Sequence, residues 1–156
     1  MSTTYESLKL EADCYGIAIF EISLPGRLKG AYTNNAICIS SSIPTQTEKT
    51  CVLAEELGHH HTSIGNILNQ KDIRNRKQEK RARTWGYLRM IHLSHFISAH
   101  SAGVRNRYEF AQFIGVTEDF LIQSLSRYQE LYGLFTTFEG HMILFNPLMV
   151  IEPIES

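Results

Sequence analysis

Glu55 and His59 stand four residues apart in a stretch, 45–61, that reads as one helix. Thr45-Gln46-Thr47-Glu48, just after Pro44, has the form of a capping box, in which a hydroxyl and a carboxylate satisfy the free amides of a first helical turn. Val52, Leu53 and Leu57 supply its apolar contacts. On a helix, residues four apart stack on one face about one turn from each other, so Glu55 and His59 can grip a single metal ion. Gly58 keeps that side of the helix low, so that a substrate or a second helix can come close. Two donors do not complete a site, and this requirement constrains the fold: another element must bring a third. The best source is the next predicted helix, 74–90, where Glu79, Ala82 and Gly86 share one stripe. Small residues at 82 and 86 allow close packing on the first helix, Trp85 is expected to anchor the second in the core, and Glu79 is thereby presented to the metal.

Glu55-Glu56-Leu57-Gly58-His59 is a variant of the HExxH pattern, with Glu55 where the first histidine would stand. In that pattern the glutamate next to the first ligand, here Glu56, is the general base, and zinc lowers the pKa of its water. A carboxylate is a competent zinc ligand, but a second anionic donor weakens the Lewis acid and makes manganese or iron more acceptable. The competing interpretation is a solvated acidic helix face without a metal.

The chain has 156 residues, 43% hydrophobic and 20% charged, with a net charge of -1. This suits a globular protein with one substantial core and gives no whole-chain signal for nucleic acid or membrane. No apolar run reaches transmembrane length, and the first residues lack the pattern of a secretion signal. Cys14, Cys38 and Cys51 are expected to be reduced, mostly buried thiols of a cytoplasmic protein. Ahead of the motif, Thr3-Thr4-Tyr5-Glu6 predicts a capped helix ending near Gly16, followed by short strands at 17–23, 28–33 and 36–40, the last two turning at Asn34-Asn35. Residues 62–72 read as a loop in which Ile64, Ile67 and Leu68 could form a helical turn. Helical stretches follow at 91–102, 108–114 and 118–132, and a terminal β-hairpin at 134–138 and 141–145. The expected fold class is therefore α+β, with a small antiparallel sheet, a metal-site helix pair, a helix-turn-helix-like module and a C-terminal hairpin. The expected division is a core at 1–90 and a helical module at 91–156 packed with it as one unit.

The run Cys51-Val52-Leu53-Ala54-Glu55-Glu56-Leu57-Gly58-His59-His60, followed by Glu79-x-x-Ala82-x-x-Trp85-Gly86, resembles the ImmA/IrrE metallopeptidases, especially short forms from prophages and integrative elements. The resemblance implies a zincin-like fold, with Glu55, His59 and Glu79 as metal ligands and Glu56 as the base. It further implies a zinc endopeptidase whose protein substrate is a phage-type helix-turn-helix repressor. An alternative from another class is a non-catalytic antirepressor or repressor-binding protein on a degenerate protease fold.

Other features read more plainly. His60 and His61 point away from the 55/59 face and suit surface or supporting roles. His92 and His95 fit an ordinary amphipathic helix. The basic residues Lys71, Arg74, Arg76, Lys77, Lys80, Arg81 and Arg83 suit a solvated helix face, with a docking surface as the sharper possibility. Phe110-Ala111, Gly115-Val116 and Leu121 have helix-turn-helix spacing, but Glu118-Asp119 at the start of the second helix opposes phosphate contact. The pair is therefore expected to be structural or to dock a partner, without specific DNA binding. Tyr32, Tyr87 and Tyr108 are unranked candidates for polarising a substrate carbonyl.

Overall fold

The computed structural model describes residues 3–63 and 73–154, with side chains for all of these except 73–75. The chain divides into two compact units, Thr3–Met90 and Ile91–Ser156.

The first unit opens with α1, Tyr5–Cys14, which buries Tyr5, Leu8 and Ala12. Its cap is Thr4 rather than Thr3: the Thr4 hydroxyl accepts from the Ser7 amide, and the Ser7 side chain answers the Thr4 backbone. Thr3 and Glu11 instead receive the Arg89 guanidinium, at 3.0 Å and 2.6 Å. A long-range charge pair thus takes the hydroxyl that local spacing had assigned to the cap.

Strands β1 (Ala18–Ile22), β2 (Gly30–Thr33) and β3 (Ala36–Ser40) form a sheet in the order β1-β3-β2. β2 and β3 turn back on each other at Asn34-Asn35, but β1 lies parallel to β3, with Ala18 opposite Ala36 and Ile22 opposite Ser40. The sheet is mixed, which corrects the expected antiparallel one. The connection after β1 carries the chain past β3's place, so β2 becomes an outer strand. Ile37 and Ile39 of the middle strand are fully buried.

Helix α2, Gln46–Thr62, starts at Thr45, whose hydroxyl accepts from the Glu48 amide. The reciprocal half of the predicted box is absent from the described bonds; the Glu48 carboxylate pairs with Lys29 at 2.6 Å. Leu53, Ala54, Leu57 and Gly58 form the buried side of α2. Helix α3, Ile73–Met90, packs on it, and the helical turn considered at Ile64, Ile67 and Leu68 lies outside the described residues. Trp85 is only half-buried; its ring stacks on His61 at 4.5 Å, so it covers the helix flank instead of entering the core. Of the three thiols, all free, Cys51 is buried, Cys38 is partly covered and Cys14 is exposed at the end of α1.

The second unit contains α4 (Leu93–Ser101), α5 (Arg107–Ile114) and α6 (Glu118–Tyr132), then β4 (Phe135–Phe138), β5 (His141–Phe145) and β6 (Leu148–Ile151). Gly115 ends α5 at φ 88°, a left-handed conformation that favours glycine, and Thr117 caps α6. The core here is aromatic: Phe96 stacks on Phe110 at 4.9 Å, and the buried Tyr128 hydroxyl donates to the Ile91 carbonyl. His92 and His95 are locally engaged, the His92 amide donating to His95 Nδ1 at 3.0 Å. The predicted hairpin is a three-stranded meander. β6 continues it antiparallel to β5, with Phe145 opposite Leu148 and Met142 opposite Ile151. Leu148-Met149-Val150-Ile151 lacks the polar alternation that marks a strand with one wet face, so pairing with β5, not local pattern, defines it. No described helix is long and apolar enough to cross a membrane.

Candidate metal centre

Helices α2 and α3 run antiparallel in a register that can be followed residue by residue. A Cβ at Gly58 would lie 2.1 Å from the Ala82 carbonyl oxygen, and one at Gly86 would lie 3.4 Å from the Ala54 backbone. Two helices therefore meet backbone to backbone where each offers a hydrogen or a methyl. On the same flank His59 faces Glu79, with Nε2 to Oε1 3.1 Å, and Glu55 faces Arg83, with Oε1 to Nε 3.2 Å. The structure brings Glu55, His59 and Glu79 together: one donor atom from each lies within 4.8 Å of the others.

A tetrahedral zinc ion with bonds of about 2.0–2.2 Å holds its donors roughly 3.4 Å apart. The donor separations here, 3.1 Å between His59 and Glu79 and all within 4.8 Å, bracket that value. The donor set, one imidazole nitrogen and two carboxylates, suits zinc and tolerates manganese or iron.

Glu56, the residue beside Glu55 on α2, is 9% exposed. The outer strand passes over it at Gly30, where a Cβ would come within 2.8 Å of the Glu56 carboxylate oxygen. Glycine at 30 is thus the space in which that carboxylate sits. Burial pushes the Glu56 carboxyl up to about 7, the His59 charge opposes this, and Glu55 and Glu79 add to it. For His59, burial disfavours the charged ring, but the Glu79 hydrogen bond and the surrounding carboxylates outweigh it and raise its pKa. The same hydrogen bond holds Glu79 below the usual carboxylate range.

Tyr32 on β2 lies parallel to the His59 ring at 6.5 Å, and its hydroxyl shares a hydrogen bond of 2.9 Å with His60 Nδ1. Burial keeps this phenol protonated to higher pH than usual. Tyr87 is buried on α3, and Tyr108 belongs to the second unit. His60 and His61 are not among the converging donors; they pack on Tyr15, and His61 also on Trp85.

Arg83 is the site residue that the sequence reading placed elsewhere, on a solvated basic face. Arg76, Lys77, Lys80 and Arg81 are indeed exposed, whereas Lys71 and the Arg74 side chain lie outside the described residues. Arg83 reaches Glu55 at 3.2 Å and Glu79 at 4.0 Å. The signal was available, since Arg83 is four residues beyond Glu79 and so on its stripe. A guanidinium between two metal-donor candidates competes with a cation for their lone pairs. Arg83→Gln is therefore expected to tighten zinc binding about three- to fivefold, the range of a half-exposed ion pair, as measured by competition with a chromogenic chelator. Weaker binding in the variant would show instead that Arg83 orients the carboxylates for the ion.

Against this geometry stands a family match. The model of the IrrE N-terminal-like domain matches residues 12–126. The chain belongs to this family of peptidases. Its α+β fold is zincin-like, and the matched span holds all four of Glu55, Glu56, His59 and Glu79. No curated protein and no solved structure matches the chain significantly.

Proposed function

We propose that the chain is a metal-dependent endopeptidase that holds zinc through Glu55, His59 and Glu79. The convergence of these three side chains from α2 and α3 carries this reading. Zinc held there would supply the Lewis acid that polarises the scissile carbonyl. Glu56 takes the proton of the attacking water and passes it to the leaving amine, a role suited to a carboxyl raised toward neutrality. Its burial beneath Gly30 keeps bulk water from levelling that basicity. The Tyr32 phenol, fixed by stacking on His59 and by His60, is the neutral donor nearest to hand on β2.

The substrate we propose is a phage-type helix-turn-helix repressor, and the compartment the cytoplasm. The resemblance of the 51–60 and 79–86 runs to the short ImmA/IrrE proteins supports both. The Arg83 ion pairs favour a second reading, a repressor-binding protein whose donor set is occupied by an internal cation.

Metal analysis and hydrolysis separate the two. Wild-type protein loaded with zinc is expected to retain one ion per chain and to cleave its repressor partner, while His59→Ala loses the ion and the activity together. Glu55→His, which removes one negative charge from the donor set, should raise zinc affinity and the neutral-pH rate. A wild-type protein that relieves repression yet retains no zinc, manganese or iron establishes the binder and ends the peptidase reading.

A further inference from the structure

Strands β5 and β6 have the sequence of strands buried on both sides. Met142-Ile143-Leu144-Phe145 and Leu148-Met149-Val150-Ile151 are unbroken apolar runs, whereas a strand with one wet face alternates. The second unit covers only one side of them. Ile143 and Phe145 are buried, with α6 packed on β5 and α4 on β6. Alternate residues point the other way. The strand register sets Phe135, Leu144 and Met149 in one row across that outer face, and Thr137, Met142 and Ile151 in the next. Phe135, Met149 and Ile151 are 48%, 47% and 43% exposed, and Met142 and Leu144 between them are partly covered.

Single exposed apolar residues are ordinary on a protein surface, but adjoining rows of them are not. Half-exposed side chains of this size leave roughly 100 Å² each, so the face offers roughly 400 Å² of apolar surface. A standard interface takes about 800 Å² from each partner, a little over half of it apolar. The outer face therefore has the extent of the apolar centre of one such interface. Its chemistry points to the partner. None of the six residues in the two rows is charged, and apolar surface depleted of charge is the mark of interfaces between identical subunits. The face also complements itself. A two-fold axis along β5 sets Phe135 of one copy over Met149 of the other, a thioether against an aromatic ring.

We propose that the outer face of the β4-β5-β6 sheet is a homodimer interface, in which two copies of the chain pack sheet against sheet through Phe135, Met142, Leu144, Met149 and Ile151. The interface is independent of the peptidase reading. All of it lies beyond the span of the family match, which ends at 126.

Sedimentation of the full chain from about 1 to 100 µM is expected to follow a monomer–dimer equilibrium and to stop at the dimer, as a closed two-fold requires. Phe135→Glu and Met149→Glu replace half-exposed side chains, so each should fold with an unchanged far-ultraviolet circular dichroism spectrum. Each should weaken the dimer at least about a hundredfold, because both copies would bury an unpaired charge. Ile122→Glu removes a similarly exposed apolar side chain from α6 and should leave the equilibrium unchanged. In wild-type protein mixed from two isotope labellings, nuclear Overhauser contacts should join the Met149 methyl of one copy to the Phe135 ring of the other. The proposal is overturned by a chain that stays monomeric throughout, which would leave the face to its own first unit or to a different protein. It is equally overturned by association beyond the dimer, by a dimer that survives either sheet variant or weakens as much with Ile122→Glu, or by absence of the contact between copies.

Discussion

Glu56→Gln is expected to abolish peptide hydrolysis while leaving zinc content unchanged, and to stabilise the metal-free protein above neutral pH. The catalytic loss should be about 10²- to 10⁴-fold, the usual worth of a general base. The stability effect has its own sign. An ordinary carboxyl ionises near 4.5, whereas burial holds the folded Glu56 proton to about 7. Between those values the unfolded chain has released a proton that the folded chain keeps, so stability falls as pH rises and the cost is complete above 7. That displacement corresponds to on the order of 3 kcal/mol. Glutamine carries no charge and removes the fall. His59 adds a slope of the same sign, because its raised pKa gives stability below its ordinary value that is lost as pH rises through the folded one. The variant should therefore be flatter than wild type, not flat. Urea unfolding of metal-free protein at pH 5 and pH 8, beside hydrolysis and metal analysis, measures all three effects. Parallel pH profiles for wild type and variant would show that Glu56 is not desolvated, and retained hydrolysis would remove it from the reaction.

Gly58→Ala should be the most destabilising single methyl in the first unit. The added carbon would stand 2.1 Å from the Ala82 carbonyl oxygen, 2.8 Å from its carbon and 3.0 Å from its Cα. All three are backbone atoms, so no rotamer change relieves the clash and the helices must separate. Overpacking a core usually costs about 1–3 kcal/mol; a rigid backbone obstacle places this change at the upper end or beyond, roughly 3–5 kcal/mol. Gly86→Ala is the control. Its carbon would meet the Ala54 backbone at 3.4 Å, close to ordinary contact, and alanine favours the helix. It should lie within about 1 kcal/mol of wild type. Equal unfolding midpoints for the two variants would refute the close approach at Gly58. Zinc affinity should fall with Gly58→Ala alone, since separating the helices withdraws Glu79 from His59.

The sequence carried the site further than it carried the sheets. Glu55 and His59 are related by helical geometry alone, and the small residues at 58, 82 and 86 indicated which faces meet, so Glu79 could be placed from two local patterns. The parallel pairing of β1 with β3 was not legible in this way, because direction and order depend on how an irregular connection crosses. Thr3 and Thr4 offered the same cap to the same helix, and only Arg89, 86 residues from Thr3, distinguishes them. The setting of Glu56 was also hidden. Gly30 reads as an ordinary position of the 28–33 strand until β2 is laid across α2, and Tyr32 gains its place beside His59 by the same crossing.

The meeting of α2 and α3 also acts as a selector of charge. Glu79 and Arg83 occupy successive turns of one stripe, opposite His59 and Glu55. Sliding α3 by a single turn would deliver Arg83 to His59 and withdraw Glu79 from the donor set. Gly58 would tolerate that slip, since Gly86 would arrive opposite it. Ala54 would not, because it would receive the bulk of Met90 where it now touches Gly86. Residues remote from the donor atoms, Gly86 and Met90, thus help to keep Glu79 rather than Arg83 opposite His59.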